Sequence, residues 1–168
     1  KWALGKKTTS FAKHNVAKWV LVNAKLNLLP KVHIVERYMQ TVAHLGVKND
    51  QKGLDYFLTA DDELDLKTAL PAGFASGYTA FVIGGQHEGK MCSAKKIAEI
   101  CKKIKGPVLL LGGPADAEKG KEISRVAGKH VFNAAGKLKL GQSAFLFILA
   151  DAVITHDTGL MHIAAAFK

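Results

Sequence analysis

From residue 78 onward, short apolar runs alternate with helix-length segments, and that alternation commits the chain to a parallel sheet. The runs 80–83, 108–111 and 152–154 read as strands, and 130–133 as a shorter strand-like piece. The stretches 93–104, 115–127, 141–149 and 160–167 read as helices. Strand and helix in turn mean βαβ units joined by right-handed crossovers, so the fold class is α/β. No fixed-period repeat, heptad array or low-complexity tract competes with that reading.

In an open α/β sheet, ligands seat where strands end and helices begin. Three such junctions carry polar residues. In the last, the strand 152–154 runs into His156-Asp157-Thr158-Gly159 and then a helix rich in small residues. Free N–H groups and the positive dipole end of such a helix favour an anion, usually a phosphate. The plainer alternative is that Asp157 only caps its helix. The triplet Asp157-Thr158-Gly159 also occurs in aspartic proteases, but there in an all-β chain, and here a helix follows it. The first junction, Gly84-Gly85-Gln86-His87-Glu88-Gly89-Lys90, offers glycines and a flexible cation to a phosphate; otherwise Lys90 is one surface lysine among many. The second is Gly112-Gly113-Pro114-Ala115-Asp116. From Gly113 to Gly120-Lys121 the spacing is too long for a P-loop, and Glu122 stands where Ser or Thr is required. Asp116 or Glu118 is placed to meet ribose hydroxyls, or simply to serve a helix N-terminus. Three polar turns at one sheet edge together predict a nucleotide-sized cleft.

The half before residue 78 reads differently. A helix is expected over 14–29, stopped by Pro30, and a second over 33–45, closed by Gly46. Residues 55–58 read as a short strand. The stretch 61–77, acidic and then Pro/Gly-containing, reads as a linker or domain boundary. Charge concentrates here. Residues 1–60 hold ten Lys or Arg against Glu36, Asp50 and Asp55, a balance of +7 out of the net +10 of the 168 residues. Interleaved with Trp2, Phe11 and Trp19, that charge suits an anionic partner: nucleic acid, acidic headgroups or a phosphorylated glycan. No RNA-binding or zinc signature supports nucleic acid. No apolar run reaches the ~18 residues needed to span a bilayer, and no secretory signal is visible. Cys92 and Cys101 suggest no disulfide framework and a reducing compartment; Cys101, in the stripe Ile97, Ile100, Ile104, reads as core. Without an initial methionine and ending one helix turn past its best motif, the chain is expected to be part of something longer.

These residues resemble glycosyltransferase family 9, the heptosyltransferases of lipopolysaccharide inner core. Asp157-Thr158-Gly159-Leu160-Met161-His162 with Ala164-Ala165-Ala166 looks like that family's signature, and Leu149-Ala150-Asp151-Ala152 before it fits. His33-Ile34-Val35-Glu36-Arg37-Tyr38 resembles its helix near the end of the N-terminal domain, and Gly112-Gly113-Pro114 a common turn. The resemblance implies a GT-B architecture of Rossmann-like parallel sheets, seen as a partial chain. Residues 1–70 would be the last part of the N-terminal acceptor domain, and 71–168 the first part of the C-terminal donor domain. It implies an inverting, metal-independent transfer of heptose from ADP-heptose to an acidic lipid-linked acceptor, with no cofactor beside the nucleotide sugar. Lys90 would take the phosphate-binding lysine's place. Asp157, Thr158, Gly159 and Leu160 would form the donor turn, with His162 on the next helix. Leu138 would pack the nucleoside, and Asp116 stands in for the family's ribose-binding Glu. The run Lys90-Met91-Cys92-Ser93 departs from the Lys-Arg/His-Trp-Pro common in the family. The general base, an aspartate early in the family's N-terminal domain, is expected upstream of Lys1, which leaves these residues alone inactive. The implied location is the cytoplasm, peripheral at a bacterial inner membrane, with its anionic surface as a partner and nucleic acid excluded. A non-catalytic nucleotide- or phosphate-binding α/β module and a basic membrane-associated binding domain are the alternatives. An NAD-dependent enzyme is disfavoured because the GxGxxG fingerprint is missing.

Overall fold

A computed structural model describes residues 9–11 and 13–167. The chain divides into two compact units, Lys1–Gly53 and Leu54–Lys168.

In the first unit the helices are α1 (Asn15–Ala24) and α2 (Ile34–Val42), the latter extended by a 3-10 turn, Ala43–Leu45. α1 stops well short of Pro30. Its Val16, Trp19 and Val22 lie exposed, so no buried face propagates the helix, and Lys25 turns it off in the left-handed region at φ 57°. α2 is capped by His33, whose Nδ1 accepts from the Val35 N–H. Gly46 closes it at φ 77°, as a C-terminal glycine should. Phe11 meets the Tyr38 ring edge-on and lies under the Arg37 guanidinium. Of the basic and aromatic residues singled out here, Lys1, Trp2, Lys6 and Lys7 fall outside the described residues.

The second unit is the α/β half. Its strands β1 (Thr79–Val82), β2 (Val108–Leu111), β3 (Val131–Asn133) and β4 (Ala152–Ile154) form one parallel sheet in the order β3-β2-β1-β4. The helices are α3 (Leu66–Ala69), α4 (Ala94–Cys101), α5 (Ala117–Ala127), α6 (Leu140–Ile148) and α7 (Gly159–Ala166). Side chains alternate across the sheet with the period of two that strands impose. Phe81, Ile83, Val108 and Leu110 pack with Ile97, Cys101 and Ile123 of α4 and α5. Ala80, Val82, Leu109 and Leu111 pack on the other face with Leu146 and Phe147 of α6. Cys101 is core, its thiol pushed up to about 11 by burial. The Tyr78 hydroxyl, buried beside β1, donates to the Leu146 carbonyl at 2.6 Å and ties the sheet to α6.

Two expectations change. Residues 55–58 pair with no strand, and Tyr56 stands against the Phe167 ring. Residues 61–77 are not a linker: Leu64, Leu66, Leu70 and Phe74 anchor this stretch in the α6-side core. Its acids and Pro71 have the composition of a loop, while the apolar anchors among them decide the packing. The packing unit accordingly starts at Leu54, ahead of the 70/71 division drawn from the sequence.

Candidate functional site

The strand order places one topological switch in the sheet. From β1 the chain builds outward through β2 to β3, then returns to lay β4 on β1's other side. Connections therefore diverge where β1 and β4 end, and such a crevice is the expected ligand seat of an open α/β sheet. The turn after β1 carries Lys90, on a 3-10 turn, Glu88–Lys90, and the turn after β4 carries Asp157. They meet: Lys90 Nζ lies 2.6 Å from Asp157 Oδ2. That contact, backed by Lys90's charge and more weakly by His162 and His87, holds the Asp157 carboxyl below the usual carboxylate range. The pair is open to solvent, with side chains 50% and 62% exposed. It adds little to stability, since exposed pairs contribute about 0.2–1 kcal/mol.

Asp157 does not cap α7. The N-cap is Thr158, whose side chain makes no capping hydrogen bond. The Met161 N–H turns back to the Thr158 carbonyl, and the N–H groups of Gly159 and Leu160 face the turn beside a lysine, the arrangement that takes an anion. Thr158 Oγ1 is buried without a hydrogen-bond partner.

A cleft of about 320 Å³ opens here, lined by Gly84, Gly85, Gly112, Gly113, Asp116, Thr158, Gly159 and Leu160, with Leu140 and Ile163 supplying an apolar wall. The glycines are there for close approach. A Cβ on Gly84 would run into the Asp116 carboxylate, and one on Gly85 would press on Met91 and Thr158. Asp116 itself is folded back: its Oδ2 accepts the Gly113 N–H at 2.9 Å, closing the turn after β2. Thus Asp116, Thr158, Gly159 and Leu160 line one cleft, with the Lys90–Asp157 pair at the end of the same strands. His162 is exposed on α7. Leu138 is not brought to the cleft; it packs against the α6-side core, and Leu140 lines the cavity. Reading from sequence passed over two residues. His156, noted only as a turn residue, has Nε2 accepting the Cys92 N–H at 3.0 Å. Lys119 donates to the Ile83 carbonyl at the end of β1, at 3.0 Å. No motif flagged either, because both act through the backbone of a distant turn.

Among the described residues, no group of three or more His, Cys, Asp or Glu is placed to share a metal ion. Nor is any helix long and apolar enough to cross a membrane.

Comparison with known proteins bears on the family and the fold. Residues 2–168 match the family model for glycosyltransferase family 9 (heptosyltransferase). The lipopolysaccharide heptosyltransferase 2 of Escherichia coli K12 is 38% identical over 65 residues, 36% of this chain and 19% of that protein. The structure of a family 9 glycosyltransferase from Veillonella parvula superposes with a TM-score of 0.68 at 21% identity, covering 82% of this chain and 42% of that one. The Escherichia coli heptosyltransferase WaaC with ADP gives 0.58 at 23% identity, covering 84% and 44%. The chain spans less than half the length of these solved structures and matches about a fifth of its curated relative.

Proposed function

The chain belongs to glycosyltransferase family 9, and on that premise we propose that it holds the nucleotide-sugar donor in heptose transfer from ADP-heptose to a lipopolysaccharide inner-core acceptor. The GT-B type α/β fold is the one this family uses. The observation that carries the reading is the Lys90–Asp157 pair set at the switch point beside the uncapped N-terminus of α7. As the sugar–phosphate bond breaks, positive charge develops on the sugar ring and negative charge on the leaving diphosphate. An ammonium and preorganised N–H groups stabilise that charge without a metal ion. The ADP carried by the WaaC structure supports a nucleotide donor. Inversion at the anomeric carbon, metal independence and the absence of any further cofactor are parts of the same proposal. The general base, which must take the acceptor hydroxyl's proton, is proposed to lie outside these residues. Asp62 is committed to the Thr59 N–H and hydroxyl, and Asp157 to Lys90.

Titration calorimetry and thermal shift test the donor reading. ADP is expected to bind and raise the melting temperature, and NAD and short RNA to do neither; an equal response to all three overturns it. Asp157→Asn is expected to lower ADP binding or turnover, by less than removal of Lys90, while the melting temperature barely moves. A helix cap would behave otherwise: Asn caps about as well as Asp, so neither quantity would change.

The acceptor side of the proposal is electrostatic. An acidic lipid-linked glycan on the cytoplasmic face of a bacterial inner membrane would meet the +7 balance of residues 1–60. Vesicles with acidic headgroups are expected to bind the protein, and added salt to release it, as the screening length falls from ~10 Å at 0.1 M to ~3 Å at 1 M. Charge reversal at Lys13 and Lys18, with Lys6 and Lys7, should abolish that binding and spare ADP. Retention on neutral vesicles at high salt would count against it.

A further inference from the structure

The turns carrying Lys90 and Asp157 are 67 residues apart in the chain, and a solvent-exposed ion pair is a loose tie between them. A firmer one lies just beneath. The Cys92 N–H donates to His156 Nε2 at 3.0 Å in a partly buried position. Cys92 stands two residues after Lys90, and His156 immediately precedes Asp157. The imidazole is therefore a cross-brace between the two halves of the anion seat. It rests near the Phe81 ring, centroids 6.4 Å apart, and its Nδ1 is buried beside the Gly84 backbone, outside full hydrogen-bond geometry.

The direction of that hydrogen bond settles the ring's state. An Nε2 that accepts an N–H carries no proton, so the proton is on Nδ1 and the ring is neutral. Protonation would turn Nε2 into a donor facing another donor, and the brace would open. The charged groups that act on the ring are Lys119 of α5 and Asp116 of the turn before it; Lys90 and Cys92 on one side, and Asp157 on the other, stand on the two turns that it joins. Lys119 is tethered to the Ile83 carbonyl, so its charge stays close. Burial first and Lys119 second hold the imidazole below its ordinary value of 6.5, against a smaller opposing pull from Gly84 and Asp116. Asp157 is held low by Lys90 and stays ionised at pH 5 and above.

We propose that His156 is a positioning residue whose neutral ring clamps the Lys90 turn to the Asp157 turn, so that the diphosphate seat is assembled only while the ring is uncharged. This rests on the donor-site reading. Two readouts separate the failure of one from the failure of the other. ADP affinity is measured for the wild type, His156→Ala and His156→Gln at pH 7.5 and at an acidic pH where the NMR shift of the His156 ring shows it charged. Amide exchange at Cys92 is followed without ligand in the same samples. Gln offers a carbonyl acceptor that does not titrate. At pH 7.5, His156→Ala is expected to bind ADP about three- to tenfold more weakly, the loss of one hydrogen bond, and His156→Gln to retain most of the affinity. Between these two pH values the wild type should lose more affinity than His156→Gln. Protonation of ADP's own phosphate acts alike on both, so their ratio isolates the ring. Cys92 protection, taken relative to the intrinsic exchange rate at each pH, should fall in His156→Ala at either pH, and in the wild type only where the ring is charged.

Parallel pH profiles for wild type and His156→Gln overturn the proposal, as does Cys92 exchange that ignores the alanine variant. A wild type that fails to bind ADP at pH 7.5 overturns the donor-site reading and the affinity claim with it; Cys92 exchange then still decides whether the clamp exists.

Discussion

Lys90→Ala is expected to weaken ADP binding roughly ten- to a hundredfold while leaving the melting temperature nearly unchanged. The affinity term follows from chemistry. A hydrogen bond to a charged group contributes ~1.5–3 kcal/mol, and each 1.4 kcal/mol is tenfold in affinity. The stability term follows from exposure. Half of the Lys90 side chain lies in solvent and its ion-pair partner Asp157 is more exposed still, so the folded state gains little from it. Affinity and stability are thus separable at this residue. Lys90→Arg should recover part of the loss, because the charge returns but the compact ammonium does not. Calorimetry with ADP at low and moderate salt measures both. Where turnover is assayed in a protein that also carries the general base, the deficit should exceed that in binding, since the diphosphate bears more negative charge in the transition state than in the bound donor. Unchanged affinity in the alanine variant would make Lys90 an ordinary surface lysine and remove the cation from the proposed site.

Much of this fold was legible because burial on a parallel sheet leaves a simple trace. Val108 to Leu111 is wholly apolar and becomes a wholly buried inner strand. The helices carry apolar residues at helical spacing, α4 and α5 meeting one face of the sheet and α6 the other. The polar turns were legible for the same reason: polar residues between a buried strand and a buried helix have few places to be except the strand ends. What escaped was decided by tertiary partners. The apolar pattern of α1 predicted a longer helix, but nothing buries it, and it stops at Ala24. Residues 55–58 have strand composition and no strand beside them. Leu64, Leu66, Leu70 and Phe74 sit among acids and a proline, and only the sheet they dock on makes them core. In the site, Lys90 and Asp157 were each visible as polar turn residues, yet their contact across the switch point depends on strand order. His156 was less legible still, because its partner is a backbone N–H that no sequence pattern marks.

Gly120→Val is expected to destabilise the second unit by about 2.5–4.5 kcal/mol, without touching the ADP site. In sequence Gly120-Lys121 gave a faint echo of a phosphate loop, and its position in the structure explains the glycine differently. It lies buried inside α5, where any Cβ would overlap the Asn133 side-chain amide. That amide fastens β3 to the start of α5: Asn133 Nδ2 donates to the Ala117 carbonyl, and Oδ1 accepts the Ala135 N–H, each at 3.0 Å. A valine must push the amide aside. Two hydrogen bonds of ~1 kcal/mol each are then at risk, and overpacking adds ~1–3 kcal/mol. Against this, replacing a glycine within a helix returns roughly 0.5 kcal/mol. The sum is a clear loss, readable as a lower denaturant midpoint at unchanged slope. Gly89→Ala is the matched control, since a Cβ there meets nothing, and it should unfold like the wild type. Were Gly120→Val to unfold at the wild-type midpoint, the Asn133 bridge would not be the contact that fastens α5 to the sheet, and the reason for a glycine at this helical position would have to be sought in ligand binding after all.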